Sequence, residues 1–145
     1  MRIVYILILS FLISSEKKFN GDNAFNYIKE QCAFGPRFPG SEAHSNLVKY
    51  LHNHFTIYAD SVQIFSDSIN HPFTNQKIDI KNLLIKHNID ATERYLFMAH
   101  FDTRDRADKD PNTDKKHLPI MGANDGASGV ALLMELSKYI NQNQL

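Results

Sequence analysis

The sequence predicts a single α/β domain. Three observations carry this reading: two stretches of helical apolar spacing near the start, three apolar runs of strand length in the middle, and a final helix apolar nearly all round. The length of 145 residues, 43% of them apolar, suits one domain and not two. Lys plus Arg and Asp plus Glu are both 16, so the chain lacks the basic excess of a non-specific nucleic-acid binder. A single cysteine, Cys32, excludes an intramolecular disulfide and a Cys-rich zinc module.

Residues 1–15, MRIVYILILSFLISS, read as a secretory signal peptide. Arg2 gives a basic start, Ile3 to Ile13 is apolar except at Ser10, and Ser14 and Ser15 are small residues at the cleavage point. The apolar run is shorter than the roughly 20 residues a bilayer needs. A buried N-terminal strand or an uncleaved anchor are the alternatives, and no Cys near the cleavage point supports a lipoprotein. Export to the periplasm or outside the cell is expected, with no membrane attachment after cleavage.

The mature domain then begins at residue 16. From Asp22 to Phe34, Phe25, Ile28 and Cys32 fall at helical spacing, with Asp22 or Asn23 as the expected cap and Cys32 as a small core residue. FGPRFPGS at 34–41 packs two prolines and two glycines into a bent loop, where Arg37 is expected to pair with a carboxylate. Ser41 caps a second helix to about Tyr58, with Leu47, Tyr50, Leu51, His54 and Phe55 as its buried stripe. Strands are expected at Val62–Phe65, Ile78–Lys86 and Tyr95–Ala99, the last continuous enough to be covered on both faces. Asn88 to Glu93 suits a hairpin loop between the last two. Residues 103–121 form a polar excursion whose length is itself a functional signal. The final helix runs from about Gly126 to Asn141.

Two short motifs carry chemistry. The buried strand ends in Met98-Ala99-His100-Phe101-Asp102, and strand alternation puts His100 and Asp102 on one face. Imidazole is a common metal ligand, and a nearby carboxylate fixes its tautomer. Alone, the pair is as readily a hydrogen-bonded histidine at a strand end. The second motif, Gly122 to Gly129, places Asp125 at the mouth of the last helix, where it serves either as a cation ligand or as a plain N-cap. In an open α/β sheet, ligands gather at the carboxyl ends of strands, which brings His100, Asp102 and Asp125 around one point.

With these motifs in order, the sequence resembles the zinc-dependent M28 peptidase superfamily, through AHFDTR, ADKDP and PIMGANDGASGVALLMEL. FGPRFPGSEAH at 34–44 is similar to the N-terminal motif of its glutaminyl-peptide cyclotransferase branch. The resemblance implies a mixed, twisted sheet between helices and a zinc site at the strand ends. In the two-zinc aminopeptidases the residue matching His100 binds one metal, that matching Asp125 bridges both, and that matching Asp102 orients the histidine. In the cyclases, with one zinc, the residue matching Asp125 is a ligand and that matching His100 stays near the site. The metal residues implied here are therefore Asp125 and His100, with Asp102 behind them. The resemblance also implies a cis peptide at Asp125-Gly126.

The family's catalytic glutamate, remaining acidic ligands and final zinc-binding histidine lie downstream of the matched stretch, and Glu135 does not take the glutamate's role. The sequence is thus expected to be a truncated, N-terminal part of the fold, with no catalytic residue of its own and weak zinc binding in isolation. The implied activity is zinc-dependent conversion of an N-terminal glutamine to pyroglutamate with release of ammonia. A two-zinc aminopeptidase is the alternative, and a non-catalytic binding module the further one. Substrates would be peptide or protein N-termini. His52 and His54, two apart on a helix, face different ways and make a poor ligand pair. His44, His71, His87 and His117 are expected in loops or facing solvent, and the mixed charges of Arg104 to Lys116 suit a solvated loop.

Overall fold

A computed structural model describes residues 17–71 and 74–145. The expected signal peptide lies outside the described residues. Helix α1 (Gly21–Ala33) starts one residue before its expected cap. The Asn20 side chain takes that role, accepting hydrogen bonds from the backbone N–H groups of Asp22 and Asn23, and leaves Asp22 in the first turn, where its charge suits the helix dipole. The buried face of α1 is also rotated from the expected stripe: Phe25 is exposed, and Tyr27 and Gln31 face inward. The cause is its packing against the last helix and the turn before it.

Helix α2 (Glu42–Tyr58) follows the expected pattern. Ser41 Oγ accepts from the His44 N–H, and Leu47, Leu51 and Phe55 are buried. His44 departs from expectation: it is buried, because it sits one turn before Leu47 and Val48 on the same inward face.

Strands β1 (Ser61–Asn70) and β2 (Lys77–Lys86) form an antiparallel hairpin, in register from Ser61 opposite Lys86 to Asn70 opposite Lys77. Both run beyond or along the expected apolar stretches, since the ladder extends over the polar positions too. Val62, Leu83 and Ile85 lay the hairpin on α2. Residues 88–93, expected as a hairpin loop between the last two strands, lead instead to a segment that pairs with β2 nowhere among the described residues. Residues 95–99 have no regular secondary structure and join no ladder among the described residues; Tyr95, Leu96, Phe97 and Met98 are all exposed, while Ala99 packs on the core. The expected strand covered on both faces is therefore not formed: among the described residues no strand pairs with it.

Residues 103–121 are irregular apart from one 3-10 turn at Thr113–Lys115. A kinked turn at Ala123–Ala127 leads into α3 (Ser128–Asn143). The core lies where α2 meets α3: Leu47, Leu51 and Phe55 pack on Val130 and Met134, joined by Ala99 and Phe101. This α/β arrangement, two helices and a hairpin closed by α3, holds residues 99–103 and 122–127 side by side. Among the described residues no helix is long and apolar enough to cross a membrane.

Candidate metal centre

The turn at 122–127 is built for an abrupt change of direction. Gly122 takes φ 63°, and the helical path breaks at Asp125 (φ −87°, ψ 101°) and Gly126 (φ 100°, ψ −62°). Only glycine adopts the Gly126 conformation readily. It is also close-packed: a Cβ there would lie 3.1 Å from the Asp102 carbonyl oxygen and 3.3 Å from His100 Cε1. The Asp125-Gly126 peptide is trans, contrary to the expected cis bond; the reversal is made by the positive φ of Gly126 instead. Asp125 does not cap α3, which has no side-chain cap. Its carboxylate turns outward to the His100 segment.

There Asp125 Oδ1 lies 2.9 Å from His100 Nε2. His100 Nδ1 lies 3.1 Å from the Asp102 backbone oxygen and 3.6 Å from its carboxylate. The hydrogen-bond partner of the ring within Asp102 is therefore the carbonyl rather than the side chain. The Asp102 carbonyl and the Asp125 carboxylate both only accept, so each ring nitrogen faces an acceptor and a neutral ring can donate to one of them. With the proton on Nδ1, Nε2 is free to bind a cation together with the Asp125 carboxylate. The side chains of His100 and Asp125 are 56% and 73% exposed, so solvent and a ligand can reach them.

Among the described residues no group of three or more His, Cys, Asp or Glu is placed to hold a metal ion. Two of the three residues singled out in the sequence, His100 and Asp125, meet directly, and Asp102 reaches the ring mainly through its backbone. Glu135 is buried away from them, its Oε1 accepting from the Asn20 N–H.

Other groups near the centre carried little sequence signal. Arg37 is fully buried and, contrary to expectation, meets no carboxylate among the described residues; it donates to the carbonyl oxygens of Gln31, Gly35 and Gly122. Burial lowers its pKa. Beyond Asp102, a cavity of about 260 Å³ is lined by Phe38, Ile69, His71, Ile78 and Asp105 among others. At its edge, His71 Nε2 is 3.0 Å from Asp105 Oδ2, and Arg106 forms two hydrogen bonds with the same carboxylate. The Arg106 hydrogen bonds hold the Asp105 carboxyl below its usual range. The only hint of this cluster in the sequence is the charge density of the loop. His87, expected in a loop or facing solvent, lies in the loop after β2 and is half-buried against Ser137, which shares a 3.0 Å hydrogen bond with it.

The structure thus sets His100 against a carboxylate from the entry turn of the last helix. Residues 82–145 match the model of Peptidase family M28. The fold resembles a Zn-dependent exopeptidase from Parabacteroides distasonis, with 32% identity, a TM-score of 0.83, and coverage of 88% of this chain and 44% of the other. It resembles Bacteroides thetaiotaomicron glutaminyl cyclase equally, at 32% identity and TM-score 0.83, covering 90% and 44%. A leucine aminopeptidase precursor from the same organism is also similar, at 31% identity and TM-score 0.79, covering 90% and 44%. No curated protein is similar at the level of sequence. Over residues 82–145 the chain thus resembles Peptidase family M28, and its fold is shared with Zn-dependent exopeptidases and glutaminyl cyclases. It spans under half the length of the three solved structures it resembles.

Proposed function

We propose that this chain contributes His100 and Asp125 to a zinc-dependent enzyme acting on peptide N-termini, exported from the cytoplasm, with glutaminyl-peptide cyclotransferase as its activity. The observation that carries the metal part is the 2.9 Å approach of His100 Nε2 to Asp125 Oδ1, with His100 Nδ1 3.1 Å from the Asp102 carbonyl oxygen on the far side of the ring. Imidazole nitrogen and carboxylate oxygen are zinc donors. The donor set therefore fits zinc in kind. It falls short in number, since protein zinc sites use three or four ligands. The chain by itself is expected to bind zinc weakly.

Zinc, when bound, would polarise a substrate carbonyl as a Lewis acid. The chain's own residues have simpler tasks. Asp102 holds the aim of His100. Asp125 supplies negative charge at an exposed position, and Gly126 lets that charge reach the ring. No residue described here is placed as the general base; a carboxylate supplied from elsewhere would move the proton from the α-amine to the departing ammonia. In the cyclase reaction the α-amine forms a bond to the side-chain amide carbon of glutamine, and the carbon–nitrogen bond to the leaving ammonia breaks. The motif FGPRFPGSEAH favours this branch.

The aminopeptidase reading stands second, supported by the likeness to a leucine aminopeptidase precursor. The test is to incubate the protein from its native source with a Gln-initiated peptide and a Leu-initiated peptide, with and without zinc. Zinc-dependent ammonia and a pyroglutamyl product support the cyclase. Free N-terminal leucine supports the aminopeptidase. Turnover of neither peptide would leave a binding module and refute both enzymatic readings.

A further inference from the structure

The turn that carries Asp125 is held at both ends by buried polar side chains from the other end of the chain. At its start, the Gly122 carbonyl accepts a 3.0 Å hydrogen bond from Arg37 Nη2. At its finish, the Ala127 carbonyl accepts a 3.1 Å bond from Gln31 Nε2. The two holders are themselves joined, because Arg37 Nη1 donates to the Gln31 carbonyl at 3.2 Å. Arg37 and Gln31 are both fully buried. A buried guanidinium without a carboxylate is expensive, and its fork can meet two carbonyls at once only in a fixed geometry.

The same arginine is tied to the histidine's segment. Its N–H donates to Thr103 Oγ1 at 2.8 Å, and the Thr103 N–H donates to the Arg37 carbonyl at 3.2 Å. Thr103 follows Asp102, whose carbonyl holds the His100 ring. The packing is tight here as well: a Cβ on Gly122 would lie 2.4 Å from Thr103 Cγ2. One residue in the loop before α2 thus contacts both segments that meet at the metal centre.

We propose that Arg37 and Gln31 are positioning residues, forming a bracket that sets Asp125 at the correct distance from His100. The bracket's purpose rests on the metal reading above; its geometry does not. A kinked turn leaves carbonyls outside the regular helical ladder, and a turn free to relax would carry its carboxylate away from the ring. The Gly122 carbonyl already accepts from the Ala127 N–H across the turn; Arg37 adds a second donor there, and with Gln31 it fixes the turn against residues 102 and 103 before any ligand arrives, the usual requirement for a preorganised site.

The test uses Arg37→Lys, which keeps charge and stem but loses the fork, and Gln31→Met, which keeps shape but loses the donor. Amide hydrogen exchange is followed at Ala127, whose N–H donates to the Gly122 carbonyl at 3.2 Å, and at Leu51 and Phe55 in α2 as references. Zinc alone is then titrated in, with the His100 ring resonances as the reporter. The bracket predicts exchange at Ala127 faster by about tenfold in either variant, with the α2 amides unchanged. It also predicts that His100 needs roughly tenfold more zinc for the same shift, the usual cost of losing an outer partner of a ligand. Unchanged Ala127 exchange in both variants overturns the proposal. Exchange that rises equally in α2 overturns it too, since it makes the pair a general brace. If Arg37→Lys does not fold, Gln31→Met decides alone. If zinc does not shift His100 in the wild type, the metal reading fails and the bracket is judged on exchange alone.

Discussion

The ring of His44, in the first turns of α2, stacks on Phe101 with 5.2 Å between centroids and 24° between planes. Phe101 lies between His100 and Asp102, so this stack fastens the segment that carries the candidate metal centre to the core side of α2. It also imposes a titratable group on a buried position.

That position makes the fold acid-sensitive. Burial lowers the pKa of His44 below its ordinary 6.5, although nearby Asp102 raises it and Lys81 lowers it further. Burial acts the same way on His54 and His87. Above 6.5 these rings are neutral both folded and unfolded, and stability is intact. As pH falls below 6.5 the unfolded chain takes up protons that the folded chain resists, so stability declines towards the lowered folded values. The urea midpoint is expected to fall between pH 7.5 and pH 5.5. His44→Phe, which keeps a ring against Phe101, should reduce that slope without abolishing it. An unaltered slope in the variant would show that His44 is not among the groups responsible.

Gly126→Ala should damage the centre more than its small size suggests. The substitution forces an L-residue to φ 100° and places a methyl against the Asp102 carbonyl and the His100 ring. A strained backbone position of this kind costs roughly 1–3 kcal/mol. Thermal melting should drop by several degrees, and the His100 ring resonances should move with it. A wild-type melt with unshifted His100 resonances would contradict the close packing described.

The core prediction is conventional in kind and specific in place. Leu47 and Met134 are fully buried where α2 meets α3. Truncating either to Ala should cost about 2–5 kcal/mol by lost burial and the cavity left behind. Leu132, on the exposed side of the same helix, should tolerate Ala with little effect. Denaturant titration separates the two sites; equal losses at all three would mean that α3 is oriented otherwise.

Residues 95–98 predict association. Four consecutive apolar side chains are exposed on a segment that joins no ladder among the described residues, and a contiguous exposed apolar patch favours association with another chain. Light scattering should report concentration-dependent association of this chain, reduced by the double substitution Leu96→Lys and Met98→Lys. A monodisperse chain at high concentration would contradict this.

The site was legible in the sequence to a different degree than its support. The meeting of His100 and Asp125 was anticipated from the order of the two motifs, although the strand expected to carry His100 is not formed among the described residues. α2 was legible because Ser41 and the Leu47–Leu51–Phe55 stripe obey capping and period rules that survive in the fold. Arg37 and Gln31 were not, since their acceptors are backbone carbonyls, which carry no residue identity. His44 was misjudged because nothing in its immediate neighbours reveals Phe101, far along the chain. Residues 95–99 showed a composition fit for burial, but composition does not state whether a neighbouring strand is present. The expected cis peptide at Asp125-Gly126 was wrong: the peptide is trans, and the kink comes from the positive φ of Gly126, which no sequence pattern specified.

The most direct measurement of the central claim is a zinc titration of this chain followed residue by residue by nuclear magnetic resonance. The account predicts weak, saturable binding in which the His100 ring and the Asp125-Gly126 amides shift along one curve, lost in both His100→Gln and Asp125→Asn. Shifts centred on another group, such as His71 and Asp105, with His100 unmoved, would contradict it.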